Sequence, residues 1–205
     1  MIKATIAPMT RCRPAAKDEV EITFPITRGE MLNALAAIGV DDDIGEEIVF
    51  RSVKVPGRTW IEDEGEDNKL VKFYNPNELN YLASILEGMS EIDMKKFKIL
   101  AEDISKFKPL TDLINLTAML TNYSLYEEIK DRDEFILYYE TRKPDDYEEI
   151  FKKVCKSDVK IIYEDLNANI SNEYGSIIPK KEFPDDIYDG KNIPDEYIIL
   201  KSYNI

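Results

Sequence analysis

Residues 75–90 read NPNELNYLASILEGMS and carry both ends of a helix in one stretch. Asn75 offers a side-chain oxygen to the first unpaired amides. Pro76 takes the first helical position, where a missing N–H costs nothing, and Glu78 stands at the capping-box position. Leu79, Leu82, Ala83, Leu86 and Met89 recur at helical spacing, and Gly88 closes the run. Ser90 caps a second helix over EIDMKKFKILAEDI, with Asp93 three residues on. After SKFKP, Thr111 caps a third, DLINLTAML, which presents Leu113, Leu116, Thr117 and Leu120. Connectors this short predict successive helices packed as a cluster.

Working outward, the preceding residues alternate strand and helix. EVEITFP (19–25) puts Val20, Ile22 and Phe24 on one face and Glu19, Glu21 and Thr23 on the other. A helix follows with Thr27 as N-cap, Glu30 as its capping-box partner, an apolar stripe of Met31, Leu32, Leu35 and Ile38, and Gly39 as its stop. IVFRSVKV (48–55) reads as a second strand, IKATIAP (2–8) as an edge strand, WIEDEGEDNK (60–69) as an acidic loop and LVKFY (70–74) as a closing segment. Beyond the helices, PDDYEEIFKKVC (144–155) has an amphipathic helical period. DVKIIYEDL (158–166) and PDEYIILKSY (194–203) read as strands, and NEYGSIIPKKEFPDDIYDGKNIP (172–194) as mostly loop. The expected fold class is α+β, with an N-terminal α+β domain over 1–73, a central helical domain over 74–108 and a C-terminal α+β domain over 109–205.

Charge narrows the function. The chain has 41 acidic and 27 basic residues, a formal net charge of −14, and the excess is spread along its whole length. Such a chain repels nucleic acid and anionic membranes and is drawn to basic surfaces. Solubility alone accounts for acidity in many proteins. There is no histidine, which removes the commonest general base and metal ligand, and the eight glycines form no phosphate-binding loop. Cys12 and Cys155 stand far apart and match no metal spacing. No stretch of 18 apolar residues and no signal-peptide pattern occurs, so the expectation is a cytoplasmic protein that does not cross a membrane. No catalytic, metal or cofactor site is expected.

The segment 75–140 resembles the ArdA-type antirestriction proteins. The resemblance rests on Glu78, Leu79, Asn80, Leu82, Ala83 and Leu86, then Asp112, Leu113, Ile114, Asn115, Leu116 and Thr117, then Tyr138 and Tyr139. FPITRGEMLNALAAIGV (24–40) is similar to the family's amino-terminal unit, so the resemblance covers roughly residues 20–140. In YEDLNANISNEYGSII (163–178), Leu166 and Gly175 fit the family's later pattern but Asn167 replaces a glycine, and residues 1–18 and 179–205 have no counterpart. The resemblance implies an elongated, dimeric chain of small domains. Its carboxylates would imitate the phosphates of bent DNA in the DNA channel of a Type I restriction–modification enzyme, a mobile-element strategy against host defence.

Duplex DNA carries one negative charge per roughly 1.7 Å, so 41 carboxylates on one face would match roughly 70 Å of duplex and a net 14 about 24 Å. A mimic must therefore keep its bases off the presenting face. The candidate acidic surface consists of three runs where acids crowd out bases. They are Asp41, Asp42, Asp43, Glu46 and Glu47; Glu62, Asp63, Glu64, Glu66 and Asp67; and Asp145, Asp146, Glu148 and Glu149. The middle run fits a solvated loop tip equally well, and it lacks the ligand spacing of a calcium loop. Trp60 beside it reads as a half-buried anchor. Tyr123, Tyr126, Tyr138 and Tyr139 read as packing residues that also suit a dimer contact. Competing functions are an inhibitor of a CRISPR effector or another basic DNA-binding protein, a carboxylate-dependent enzyme, and an acidic adaptor.

Overall fold

Ile2–Pro8 (β1) owes its place to side chains that leave almost nothing exposed: Ile2, Ala4 and Ile6 are at 0–1%. In the computed structural model of the chain, this strand lies inside a four-stranded antiparallel sheet. The order is β2 (Val20–Phe24), β1, β3 (Ile48–Val55) and β4 (Arg58–Thr59). The structure describes residues 1–9, 15–41, 48–56, 58–59, 74–101, 110–131, 133–134, 137–138, 141, 169–171, 174–179 and 188–203. β1 is thus paired on both sides, not an edge strand as its sequence suggested. Ile2 faces Phe24 across one ladder and Ala4 faces Val53 across the other. The second register shifts between Thr5 and Ile6, where β3 carries one extra residue and Ile6 comes opposite Phe50. β2 lies within the alternating stretch 19–25, with Ile22 and Phe24 inside and Glu19 and Glu21 out, and β3 occupies the expected span, although Ile48, Val49 and Phe50 are all buried in succession.

The helix after β2 is Arg28–Ala37 (α1). Thr27 caps it through a full capping box: its hydroxyl oxygen accepts from Glu30 N, and the Glu30 carboxylate accepts from Thr27 N at 2.9 Å. Those bonds hold the Glu30 carboxyl below its ordinary pKa, the Thr27 side chain contributing most. Gly39, at a φ of 76°, supplies the left-handed turn that ends the helix. Met31, Leu35 and Ile38 are buried as expected, but Leu32 is 36% exposed and falls outside the core stripe.

Three further helices follow: α2 (Pro76–Glu87), α3 (Glu91–Ala101) and α4 (Leu110–Met119). Asn75 caps α2 by accepting from Asn77 N at 2.9 Å. At the start of α3, Ser90 Oγ accepts from Asp93 N and donates to the Asp93 carboxylate. That hydroxyl is the main reason the Asp93 carboxyl titrates below its usual range. α4 begins one residue before Thr111, which therefore lies within the helix instead of capping it.

The fold is α+β. It divides into two units: unit 1 is 1–89, 105–117 and 186–205, and unit 2 is 90–104 and 118–185. Unit 1 draws on all three of the contiguous divisions that the sequence suggested. Its core joins the four-stranded sheet with α1, α2 and the first part of α4, and Ile2, Phe24, Met31, Leu79, Leu82, Ala83 and Leu113 are fully buried in it.

Unit 2 places α3 against a three-stranded antiparallel sheet of β5 (Tyr123–Tyr126), β7 (Gly175–Pro179) and β6 (Asn169–Ser171), in that order, with Phe97, Ile129 and Ile177 buried. β7, the central strand, falls in a stretch that reads as loop. Gly175 begins it at a φ of 102°, and a Cβ there would come within 2.7 Å of Glu127 Cα as well as striking the Tyr126 carbonyl. Residues 194–203, which read as a strand, instead form two single 3-10 turns, Asp195–Tyr197 and Lys201–Tyr203, joined by residues 198–200. The expected elements at 60–69, 144–155 and 158–166, most of 70–74, and Cys12 and Cys155 lie outside the described residues.

The burial pattern of α1 yields a direct test. Leu35→Ala should lower unfolding free energy by about 2–5 kcal/mol, whereas Leu32→Ala should change it by less than about 1 kcal/mol, as read by urea denaturation.

Candidate functional site

Asn77 and Asn80 of α2 and Asn115 of α4 are buried polar residues, and the structure gives each a partner. Asn77 Oδ1 accepts from both Ile199 N and Leu200 N at 2.9 Å, and its Nδ2 donates to Leu200 O at 2.9 Å. Asn80 accepts from Ile26 N at 2.8 Å and donates to Tyr197 O at 3.1 Å. Asn115 accepts from Tyr188 N at 2.7 Å and donates to Tyr188 O at 3.0 Å, closing a two-way pair with one main-chain residue. Asn75 donates to Tyr203 O, Arg28 donates to Ile199 O, and the Tyr203 hydroxyl accepts from Ile48 N.

These bonds explain why residues 194–203 are not a strand. A carboxamide offers an acceptor oxygen and two donors, so it can satisfy main chain that no strand pairs. The convergence of two successive N–H groups on Asn77 Oδ1 is itself unlike a strand, whose successive N–H groups point to opposite sides. Asn77, Asn80 and Asn115 are at most 3% exposed. Removing one would leave buried amides and carbonyls unpaired, at about 1–3 kcal/mol for each such group. Asn80 and Asn115, two positions on which the antirestriction resemblance rests, therefore have a structural duty. Asn77 does too, and it had gone unmarked. Its signal was its spacing, three residues before Asn80 and six before Ala83.

Glu78 points to the same segment. Its carboxylate accepts from the Tyr188 hydroxyl at 3.3 Å instead of completing a capping box. Burial pushes the Glu78 carboxyl above its ordinary pKa, against the lowering effect of the Tyr188 hydrogen bond. Burial first, and the Glu78 charge second, push the Tyr188 phenol well above its ordinary value. The Tyr81 ring packs beside both Tyr188 (centroids 6.0 Å apart) and Tyr197 (5.1 Å). The three rings fill the space between them, and among the described residues no group of three or more His, Cys, Asp or Glu could hold a metal ion.

The charge arrangement differs between the units. On unit 2 the exposed acids among the described residues are Glu91, Glu127, Glu128, Asp131, Asp133 and Glu134, against one exposed base, Lys130. Each of the three lysines of α3 has a partner, and only Lys96 is buried. Lys95 pairs with Glu127 at 2.9 Å and Glu91 at 3.2 Å. Lys96 is buried, donating to Asp93 Oδ1 and to Leu120 O. Lys98 Nζ lies 4.8 Å from the centre of the Tyr174 ring and 3.4 Å from its hydroxyl. Unit 1 is more even: exposed Asp18, Glu19, Glu21, Glu30, Glu87, Asp189, Asp195 and Glu196 are interspersed with Lys3, Lys17, Arg51, Lys54, Lys191 and Lys201.

Of the acidic runs singled out in the sequence, only Asp41 is described, and it is half-buried just past the end of α1. Asp42, Asp43, Glu46 and Glu47, the whole of 62–67 and 145–149, Trp60 and Tyr139 lie outside the described residues. Tyr123 and Tyr126 are half-buried on β5, and burial raises the Tyr123 phenol pKa. The Tyr126 and Tyr138 rings pack together at 5.1 Å. No helix among the described residues is long and apolar enough to cross a membrane.

Glu78 gives a pH test. Its carboxyl pKa is raised on folding, so the folded state disfavours the charged form and loses stability as pH climbs above the ordinary carboxylate range. Glu78→Gln keeps an acceptor for Tyr188 and removes the charge. Its stability relative to the parent should therefore be higher at pH 7 than at pH 4, measured by denaturant unfolding at each pH.

No protein-family model matches this chain, and no curated protein matches it.

Proposed function

We propose that this protein binds through its carboxylates to a basic DNA-binding channel, and that it inhibits a defence nuclease by excluding DNA. A Type I restriction–modification enzyme is the first target. What supports the reading is the unequal treatment of charge among the described residues of unit 2: Glu128, Asp131, Asp133 and Glu134 are exposed, while the α3 lysines are paired or buried. A surface meant to compete with phosphates needs that asymmetry, because an interspersed lysine would repel the channel it has to enter. The net charge of −14 and the acidic runs at 41–47, 62–67 and 145–149 extend the same bias along the chain. The resemblance of residues 20–140 to ArdA-type proteins points the same way. On this reading the protein has no catalytic role, works in the cytoplasm and acts as a homodimer.

The buried asparagines sharpen the assignment. Asn80 and Asn115 are positions of the resemblance, and the side chains of all three are committed to main-chain partners. The carboxylates remain as the groups a partner can meet. Among them, Glu128 and Asp133 are exposed and take no part in the local bonds that engage Asp131 and Glu134.

A cleavage assay with purified Type I restriction–modification enzyme tests the reading. Glu128→Gln with Asp133→Asn should weaken inhibition by about threefold to tenfold, while Glu19→Gln with Glu21→Gln, at the start of β2, should leave it unchanged. Inhibition of a CRISPR effector alone would keep the mechanism and change the target. Equal inhibition by all variants would remove the carboxylates of unit 2 from the account.

A further inference from the structure

Residues 188–203 have an unusual relation to the rest of unit 1: each bond described above that ties them to it runs through a side chain. Asn115 and Glu78 hold the end at Tyr188; Asn80, Asn77 and Asn75 hold the stretch from Tyr197 to Tyr203. Between these anchors, Asp189, Lys191, Asn192, Asp195 and Glu196 are exposed, and the local bonds stay within the segment, as from Lys191 N to Asp189 Oδ1 and from Tyr197 N to Pro194 O. A strand that leaves a sheet strips its neighbour of a ladder of main-chain bonds. Among the described residues, none of the strand ladders of unit 1 includes this segment.

We propose that residues 188–203 form a strap that detaches and re-docks as one piece while the remainder of unit 1 stays folded. The two anchored ends act together because they share α2. Glu78 serves the first end, Asn77 and Asn80 the second, and the Tyr81 ring touches Tyr188 at one and Tyr197 at the other. Loosening either end strips the neighbouring ring of its packing and so loosens the other. Docking is stabilised by burying Ile199, Leu200 and Tyr188, which are 2%, 1% and 8% exposed. An opened strap uncovers four carboxamides, those of Asn75, Asn77, Asn80 and Asn115, already arranged to receive main chain. The seat is a receptor for a peptide backbone whose resident is this chain's own segment. Opening in a cooperative unit below the level of global unfolding is the behaviour expected of an element bound in this way.

Native-state hydrogen exchange on the full chain decides it. In the parent protein the amides of Tyr188, Ile199 and Leu200 should exchange through one shared opening, faster than the amides of the β1–β3 ladder and with weaker denaturant dependence. Asn115→Ala removes the partner of Tyr188 N, and the informative amides are those of Ile199 and Leu200 at the far end. They should exchange about tenfold faster or more, with the β1–β3 amides unchanged. Asn77→Ala should act reciprocally on the Tyr188 amide. An effect confined to the altered end would overturn the strap as a unit. If the parent's Tyr188, Ile199 and Leu200 amides exchanged only with the β1–β3 ladder, that would overturn its separability, whether or not either variant folds.

Discussion

Asn77 accepts two main-chain hydrogen bonds and donates a third, and through them Ile199 and Leu200 reach the interior of unit 1. The constraint behind this arrangement is general: buried N–H and C=O groups need partners, and an extended segment away from any sheet cannot supply its own. Side chains from α2 and α4 do what a neighbouring strand would otherwise do. The same residues tie the strap to other parts of unit 1. Asn80 also holds Ile26, at the approach to α1, and the strap takes bonds from Arg28 and from the first residue of β3.

Much of this architecture could be read from the chain. β2 follows its period-two pattern, β3 takes the span expected of it, α2 follows its cap and stripe, and the Thr27–Glu30 box forms as its spacing foretells. Pairing could not be read so well. Alternation shows that β1 buries one face, but a neighbour on each side is a tertiary fact, shown by its ladders to β2 and β3. β7 was hidden because Gly175 and Pro179 look like punctuation. Gly175 is there because the Tyr126 carbonyl and Glu127 backbone leave no room for a side chain. The apolar run at 198–200 suggested a strand because an extended segment looks the same in sequence whether a ladder or asparagines satisfy it. The acidic runs were plain as charge, but charge patterning carries no information about which acids share a face.

The lysines give the charge arrangement its meaning. A chain with 27 bases could scatter them among its acids, and on unit 1 the described surface does so. Among the described residues of unit 2, Lys95, Lys96 and Lys98 are directed to a carboxylate pair, a main-chain carbonyl and an aromatic ring, while Glu128, Asp131, Asp133 and Glu134 are exposed. Exposed ion pairs contribute little to stability, so the value of this placement lies more in the field the surface presents than in holding the fold. Occupying a basic channel is the use such a field suits best.

The central claim is that carboxylate charge is what engages the target, and ionic strength tests it most directly. If the protein enters a channel built for phosphates, its affinity for the nuclease should fall by about tenfold or more between about 50 and 200 mM salt, in a titration of the purified pair. An affinity that stays constant across that range would contradict the account.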